Sequence, residues 1–356
     1  MTYNLNHTIL KHIQLKKITF VLTFLISIVT SGQTLAELYR DINSSVVVID
    51  IINVSRESEG EYIQVVTEES QGSGVLIAEE GLIWTAAHVV QTAEEVQIEF
   101  LDGDIYAGTV ISSVAQADVA LVKIKGDFLL KDKKVAPIGD SDKVFVGEDV
   151  FVLGAPHGFK QSLSRGILSG RFVPAHLSND FVKIEFLQTD ASINPGNSGG
   201  PMFNMSGEVI GIASRIYSNS GGFEGIGFAM SSNVADKLLM QESSIWGGME
   251  SLLLDGDLAK ALNLPQEAGL LITSLSSKGS ASALGLKGGT ISAKIEETEL
   301  KIGGDIILEL GGITIEDINS IFKIRKIIAE AQKGDVITMT IFRNGKIVRA
   351  KFTKQD

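Results

Sequence analysis

The sequence predicts a mainly β protein, in which a domain of short strands is followed by a smaller mixed α+β domain. Short runs of β-branched and other apolar residues, separated by Gly, Asp and Asn, recur between residues 44 and 229. The 37 glycines follow no fixed period and therefore indicate many tight turns. Beyond residue 245, strand patterns alternate with helical patterns, which is typical of an α+β module.

Composition and charge narrow the functional classes. The chain has 356 residues, of which 44% are hydrophobic and 21% charged, as in folded proteins of two or three domains. It contains no cysteine, which excludes disulfides, a thiolate nucleophile and cysteine-based metal sites. The formal net charge of −12 disfavours nucleic-acid binding, because phosphates would be repelled. We expect no cofactor and no metal, since no paired spacing of metal ligands is present.

Residues 1–32 have the features of a secretory signal peptide. They contain three lysines and no acidic residue, and the apolar run 18–29 is followed by small residues. This run is shorter than the roughly 20 residues that span a membrane. We therefore expect a periplasmic or otherwise exported protein. The alternative is a protein anchored in the inner membrane by residues 18–29.

The strand-rich domain is predicted at residues 44–232. One short helix is expected before it at 35–42, within the N-terminal segment 33–43. Few helical patterns interrupt the strands, which favours a barrel or sandwich. The predicted strands lie at 46–52, 62–67, 74–78, 96–100, 119–124, 149–153, 182–188 and 209–213.

A helix predicted at 231–240 would form most of a linker at 233–244, and residues 245–356 would form the α+β domain. Asn344-Gly345 is a strong hairpin signal, and Gly334 is expected to end the longest helix. Strands are predicted at 269–275, 305–310, 336–343 and 346–353, and helices at 256–262, 280–284 and 317–333.

A glycine-rich turn carries the candidate nucleophile, Ser198. Serine needs a neighbouring base to attack at neutral pH. Flanking glycines allow a sharp turn whose N–H groups could stabilise an oxyanion. Taken alone, the segment could equally be a hairpin loop or the nucleophile elbow of α/β-hydrolases. In the elbow fold a histidine follows the serine, whereas here no histidine lies beyond His176.

His88 and Asp118 complete the order His, Asp, Ser that barrel-type serine proteases use. His88 follows an apolar run and the small residues Ala86 and Ala87. Asp118 lies directly before an apolar strand. A carboxylate there is poorly solvated and needs a partner such as an imidazole. Either residue alone could be structural, but the three together are far more specific.

These segments resemble the HtrA/Deg family of trypsin-fold serine proteases that carry a PDZ domain. The resemblance covers residues 34–356. It implies a trypsin-like double β-barrel protease domain at 44–232 and a PDZ domain at 245–356. The matching blocks lie at 85–90, 117–121, 164–170, 188–201 and 225–229.

The resemblance implies a role for each catalytic residue. His88 would be the general base, Asp118 would orient it, and Ser198 would attack the peptide carbonyl. The N–H groups of Gly196 and Ser198 would form the oxyanion hole, with Asn197 lining it.

Other segments would have structural or regulatory roles. His157 is expected on the surface. His176 lies in a stretch that matches an activator-sensing loop, so a structural or regulatory role is expected. Loops at 172–181, 191–197 and 214–225 would switch the site between inactive and active forms.

The expected specificity pocket has no acidic side chain, and Ser192, six residues before the nucleophile, is neutral. A preference for Lys or Arg would need an acid there. The sequence therefore predicts cleavage after a small or medium apolar residue, such as Val, Ile, Leu or Ala. The residues assigned to substrate binding, beside the oxyanion turn, are Ile212, Ala213, Ser214 and Ile226.

The PDZ domain would bind the C-termini of partner peptides. Residues 249–253 would be the strand that a partner extends, and the helix at 317–332 would form the other wall. Gly247 stands where the family usually has an apolar residue, and 290–301 is an insertion. The alternative is a domain used only for assembly. The residues that match the carboxylate-binding loop are Trp246, Gly247, Gly248 and Met249.

Partners follow from the same resemblance. Unfolded or misfolded polypeptides are the expected substrates, with no nucleic acid. A single PDZ domain and the short segment 55–71 imply a homotrimer, with 35–42, and Tyr39 especially, as candidate contacts. The alternative function is a chaperone-like peptide-binding protein on the same scaffold with little proteolysis.

Overall fold

The computed structural model describes most of the chain beyond residue 32. The predicted signal segment, His157 and His176 lie outside the described residues. No described helix is long and apolar enough to cross a membrane. Beyond Tyr39, the described residues belong to one compact unit. The described ranges are 33–60, 62–155, 159, 161–175, 177, 183–242, 245–295 and 298–354.

The first helix, α1, spans Leu35–Ile42, as the sequence predicts. Thr34 precedes it and bonds reciprocally with Glu37: the Thr34 N–H donates to the Glu37 carboxylate at 2.9 Å, and the Glu37 N–H donates to Thr34 Oγ1 at 3.3 Å. This capping box satisfies N–H groups that the first helical turn leaves free.

The first six strands close into an antiparallel barrel in the order β1-β2-β3-β6-β5-β4. Apolar side chains alternate along the strands, so that Ile49, Ile83 and Ile98 are fully buried inside it. The strands are β1 Val46–Glu59, β2 Tyr62–Ala78, β3 Leu82–Thr85, β4 Ala93–Glu99, β5 Ile105–Val114 and β6 Val119–Ile124.

The next six strands close a second barrel in the order β10-β11-β12-β9-β8-β7. Val150, Leu187 and Ile210 are fully buried in its core. Two closed six-stranded barrels confirm the predicted trypsin-like architecture. The strands are β7 Asp149–Gly154, β8 Ser162–Phe172, β9 Phe186–Thr189, β10 Pro201–Asn204, β11 Val209–Ile216 and β12 Gly227–Ser231.

The C-terminal residues form an α+β unit. Its sheet has the order β13-β14-β17-β19-β20, with β18 beside β17, and a separate hairpin is formed by β15 and β16. Ile272, Ile307 and Ile324 share its core. The strands are β13 Met249–Leu254, β14 Gly269–Leu275, β15 Ile291–Ile295, β16 Thr298–Ile302, β17 Ile306–Leu310, β18 Ile313–Thr314, β19 Val336–Arg343 and β20 Lys346–Thr353.

The remaining helices are short except for the last. Ser232–Asp236 continues as a π-helical turn, Lys237–Gln241, where the sequence predicts one helix. The helices are α2 Ala87–Val90, α3 Ser232–Asp236, α4 Gly256–Ala261, α5 Ser280–Ala283 and α6 Ile318–Glu330.

Several predicted boundaries are wrong. The strands predicted at 62–67 and 74–78 are one strand, because Gly74 permits close packing rather than a turn: a Cβ there would lie 2.7 Å from Ile83 Cγ2. Strand β9 begins at Phe186, so the described residues 183–185 of the predicted strand lie outside it. Helix α6 ends at Glu330, since Ala331 is already extended. At the segment 290–301, which the sequence predicts to be an insertion, residues 291–295 pair with residues 298–302 as strands β15 and β16.

Burial predicts which isoleucines stabilise the first barrel. Ile98 is fully buried, whereas Ile63 is 63% exposed on the β1–β2 hairpin. Ile98→Ala should lower the free energy of unfolding by about 2–5 kcal/mol, because it leaves a cavity. Ile63→Ala should change it by less than about 0.5 kcal/mol. Urea unfolding of both variants checks this, and equal losses would contradict the barrel packing.

Candidate active site

His88 lies on the single-turn helix α2, directly after strand β3. Its neighbours Ala87, Val89 and Val90 are buried, which anchors the turn on the barrel core. The imidazole is left at the surface with 49% of its side chain exposed. The chain therefore presents the His88 ring outward from a firmly packed turn.

Asp118 holds this imidazole through several contacts. Both carboxylate oxygens lie 2.9 Å from His88 Nδ1, and Oδ1 also accepts the His88 backbone N–H at 3.0 Å. Oδ2 accepts a hydrogen bond from the Ser214 hydroxyl at 2.5 Å. The carboxylate is thus fixed by donors on two sides. Asp118 has φ +52°, a left-handed conformation that is unusual for a residue other than glycine.

The surroundings raise the pKa of His88 above its ordinary value of 6.5. Partial burial lowers this pKa, but the hydrogen bond and the negative charge of Asp118 raise it by more. The positive charge of Arg215 lowers it. Because Nδ1 faces the carboxylate, Nε2 is the ring nitrogen available to accept a proton.

The turn that carries Ser198 is bonded to both barrels. Its carbonyl accepts the N–H of Ser73 in β2 at 2.8 Å, and the N–H of Gly199 donates to the carbonyl of Ala213 in β11 at 2.8 Å. Gly199 has φ +81°, and a Cβ there would contact Thr85 Oγ1 and lie 2.8 Å from Ala86 N. Only a glycine therefore lets the Ser198 turn lie directly against the chain that leads to His88.

Residues 194–197 form a tight turn before Ser198. The N–H of Asn197 donates to the carbonyl of Asn194 at 2.9 Å, and Gly196 has φ +101°. Pro195 followed by a glycine of positive φ fits a type II turn. Within the described part of the chain, the N–H groups of Gly196 and Ser198 donate to no acceptor.

The buried side chain of Asn197 helps to hold this turn. Its side chain is 2% exposed and donates from Nδ2 to the Ser192 carbonyl at 3.3 Å. A Cβ at Gly154 would lie 2.7 Å from Asn197 Oδ1, so this glycine makes room for the amide. The structure thus places the Asn197 side chain inside the protein, beneath the free N–H groups.

The residues assigned to the specificity pocket have different environments. Ile212 and Ala213 are fully buried on β11, and Ile226 is half-buried before β12. Ser214 bonds to Asp118, so it supports the imidazole as well as flanking the pocket. The next residue, Arg215, stacks 4.4 Å above the Phe186 ring.

Sequence reasoning assigned no role to Ser73. Its hydroxyl donates to the Gly196 carbonyl at 2.6 Å and accepts the Ala155 N–H at 3.0 Å, so it fixes the turn before Ser198. The signal that could have indicated it is its position between Gly72 and Gly74, since paired glycines inside a strand mark close backbone approach.

The loop assigned to carboxylate binding lies at the edge of the C-terminal sheet, just before β13. The carbonyls of Gly247 and Gly248 accept N–H groups from Ala281 at 3.0 Å and Ser276 at 2.7 Å. Gly248 has φ +66°, and a Cβ there would lie 2.5 Å from Gly279 Cα. Among the described residues, no acceptor takes the N–H of Gly247 or Gly248. Backbone donors left free in such a turn suit an anion.

Comparisons with known proteins agree with this architecture. Residues 72–212 match the trypsin-like peptidase domain. A probable periplasmic serine endoprotease DegP-like from Pseudomonas putida is 34% identical over 286 residues, covering 78% of this chain and 54% of the relative. The protein of that name from Pseudomonas savastanoi pv. phaseolicola is 36% identical over 293 residues, covering 80% and 55%.

Solved structures of HtrA-type proteases are also similar to this chain. The HtrA-type protease AlgW with a tripeptide has a TM-score of 0.50 and 26% identity, covering 89% of this chain and 95% of that chain. An AlgW variant with a decapeptide has a TM-score of 0.53 and 25% identity, covering 90% and 96%.

Fold and site define the chain as a protein of the trypsin-like peptidase class. It is similar to serine proteases of the HtrA/Deg type, both among the DegP-like relatives and among the HtrA-type solved structures. The chain spans about half the length of the curated relatives it matches.

The contacts of Asp118 predict how its loss changes His88. In Asp118→Asn the negative charge disappears, while burial and Arg215 still favour the neutral ring. The pKa of His88 should therefore fall below its wild-type value, measured by NMR titration of labelled histidine. The exposed Asp127→Asn serves as the matched control and should leave this pKa unchanged. An unchanged or higher pKa in Asp118→Asn would show that the carboxylate does not set it.

Proposed function

We propose that this chain is an exported serine endopeptidase in which Ser198 is the nucleophile, His88 the general base and Asp118 the residue that orients it. The observation that carries the proposal is the fixed Asp118–His88 pair beside the Ser198 turn. Gly199 brings that turn into contact distance of Thr85 and Ala86. A charged orienting group, a base and a hydroxyl in this order are what acyl transfer requires.

The proposed reaction follows from these positions. Ser198 Oγ attacks the carbonyl carbon of a peptide bond while His88 Nε2 removes its proton. The Nδ1–H of His88 stays bonded to Asp118, whose negative charge stabilises the imidazolium. The imidazolium then protonates the leaving amine, and a water molecule activated by Nε2 hydrolyses the acyl-enzyme.

The oxyanion of the tetrahedral intermediate would be held by the free N–H groups of Gly196 and Ser198. Each such donor contributes about 3–4 kcal/mol in comparable sites. Ser73 and Asn197 would serve this step indirectly, because their side chains fix the turn that carries the donors.

The substrate class is proposed from the pocket. Ile212 and Ala213 are apolar, and the nearby Arg215 is positively charged, which disfavours Lys or Arg before the cut. We assign unfolded or misfolded exported polypeptides, cleaved after Val, Ile, Leu or Ala. The periplasmic names of the relatives support export.

The proposed organisation is a signal segment at 1–32, a protease domain at 44–232, a linker at 233–244 and a PDZ domain at 245–356. The free N–H groups of Gly247 and Gly248 support binding of a C-terminal carboxylate there. The AlgW structures that carry a decapeptide or tripeptide support peptide binding in this family. Assembly as a homotrimer through 33–43 is proposed from the family resemblance.

Loss of the nucleophile tests the activity. Ser198→Ala should reduce casein cleavage by roughly 10⁴- to 10⁶-fold, because the remaining groups cannot form an acyl-enzyme. Ser206→Ala, in an exposed turn between β10 and β11, is the matched control and should keep full activity. Equal cleavage by wild type and Ser198→Ala would refute the nucleophile.

The alternative function, a chaperone-like binding protein, is tested with the same variants. If wild type cleaves casein no faster than Ser198→Ala, yet both suppress aggregation of an unfolded protein equally, the chaperone function holds instead.

The pocket predicts where cleavage occurs. Digestion of a peptide library should give products that end mainly in Val, Ile, Leu or Ala, because the residues assigned to the pocket include no acidic side chain. Ser192→Asp would place an acid six residues before the nucleophile and should shift cleavage toward Lys and Arg. Mass spectrometry of the products measures both. Wild-type cleavage mainly after Lys or Arg would contradict the assignment.

A further inference from the structure

The residue that follows the His88 turn contacts the loop assigned to carboxylate binding. Gln91 directly succeeds α2, and its Nε2 donates to the Met249 carbonyl at 2.5 Å. Its Oε1 accepts the hydroxyl proton of Ser113 in β5, which fixes the orientation of the amide. Its backbone carbonyl accepts the indole N–H of Trp246 at 2.9 Å. One residue of the first barrel thus bonds to both ends of the loop at 246–249.

Neighbouring contacts hold the same edge. The buried Ser276 donates from its hydroxyl to the Ala93 carbonyl at 3.1 Å, and the Ser277 hydroxyl donates to the Glu94 carboxylate at 2.6 Å. The loop at 246–249 is therefore bound to the segment that runs from the His88 turn into β4.

Helix α6, the opposite wall of the proposed groove, is also held by hydrogen bonds. Arg325 of α6 donates to the Ser113 carbonyl at 2.9 Å and to the Leu238 carbonyl at 3.4 Å. Burial lowers the pKa of Arg325 to about 10. Both walls of the groove, β13 and α6, are therefore fastened to other parts of the molecule.

The contact of Gln91 lies where a partner strand would add. Strand β13 stands at the end of the sheet order and pairs with β14 on one side. A peptide that extends the sheet needs the outward backbone groups of β13, beginning with Met249. The Gln91 amide already donates to the Met249 carbonyl and occupies the space from which a peptide N–H must approach.

We propose that Gln91 is an autoinhibitory contact: its side-chain amide and a bound C-terminal peptide compete for the Met249 carbonyl. A peptide must displace Gln91 before its strand can pair fully with β13. This inference rests on the proposed function of the C-terminal unit as a peptide-binding domain.

The free energy of one hydrogen bond sets the expected change in peptide affinity. A hydrogen bond to a neutral partner contributes about 0.5–1.5 kcal/mol net, so displacing it should weaken peptide binding by a factor of roughly 2 to 10. Peptide binds only to those molecules in which this contact is open, so the apparent affinity is reduced in proportion to the open fraction. Removing the amide should therefore tighten peptide binding.

The experiment compares Gln91→Met with the parent protein, both in the Ser198→Ala background so that the probe is not cleaved. Methionine keeps the length of glutamine and removes its donors. Gln91→Ala is a second variant in case the first one misfolds. Gln97→Met, at an exposed position of β4, is the matched control. The probes are fluorescent decapeptides that end in Val, Leu or Phe with a free carboxylate, and their amidated forms.

Fluorescence anisotropy should show binding that is about 2- to 10-fold tighter for Gln91→Met and Gln91→Ala than for the parent, with Gln97→Met unchanged. Tryptophan emission gives a second measurement. Trp84 is fully buried in the barrel, so a change on peptide addition reports Trp246, which bonds to Gln91. Because Gln91→Met keeps the backbone carbonyl to which Trp246 bonds, this change should occur in both proteins and should reach half its maximum at a lower peptide concentration in Gln91→Met.

The outcomes separate this inference from the proposed function. Binding of equal affinity by the parent and both Gln91 variants would overturn the competition while leaving the peptide site intact. Binding by the Gln91 variants alone would support the competition in its strongest form. If no form of the protein binds any probe, peptide binding by the C-terminal unit is wrong, and the competition is wrong with it. Casein cleavage by the active forms tests the protease function independently.

Discussion

The position of the Ser198 turn between two barrels is the constraint on which the site depends. One hydrogen bond ties it to Ser73 in the first barrel, and another ties it to Ala213 in the second. Each bond contributes only about 1 kcal/mol, so packing has to keep the geometry. Gly199 makes that packing possible, because any side chain there would collide with Thr85 and Ala86. The Ser198 turn is therefore held against the chain that leads to His88 by a close contact that only a glycine permits.

The charged carboxylate of the site also lies where the two barrels meet. Asp118 extends from the first barrel in a strained backbone conformation, and its carboxylate is 14% exposed. A carboxylate so placed is costly unless it is hydrogen-bonded. Its donors come from both barrels: His88 from the first and Ser214 from the second. The hydrogen bonds to this one carboxylate therefore orient the imidazole and join the two barrels. These bonds account for the strained backbone of Asp118 being tolerated.

Local chemistry was readable from the sequence, whereas contacts between distant segments were not. The Asn344-Gly345 hairpin follows from two residues that adopt positive φ easily, here +50° and +73°. The order His88, Asp118, Ser198 could be recognised as a pattern. The role of Ser73 and the contact of Gln91 with Met249 depend on how segments far apart in sequence meet. The predicted end of α6 was wrong for a local reason: the Gln332 N–H donates to the Asp335 side chain, so the chain turns before Gly334.

Several polar contacts join the C-terminal unit to the first barrel. Its inserted hairpin approaches the β1–β2 hairpin, where the Ser58 N–H donates to the Thr290 carbonyl at 2.7 Å and Lys301 pairs with Glu57 at 2.9 Å. Apart from Trp246, which packs against the barrel core, the contacts at Gln91, Glu94 and Arg325 are hydrogen bonds. Water can replace such bonds at small net cost, whereas separating an apolar interface exposes area at about 25 cal/mol per Å². A hydrogen bond of this kind can be exchanged for one to a bound peptide at small net cost, and that physical property makes a competing contact such as the Gln91 amide effective.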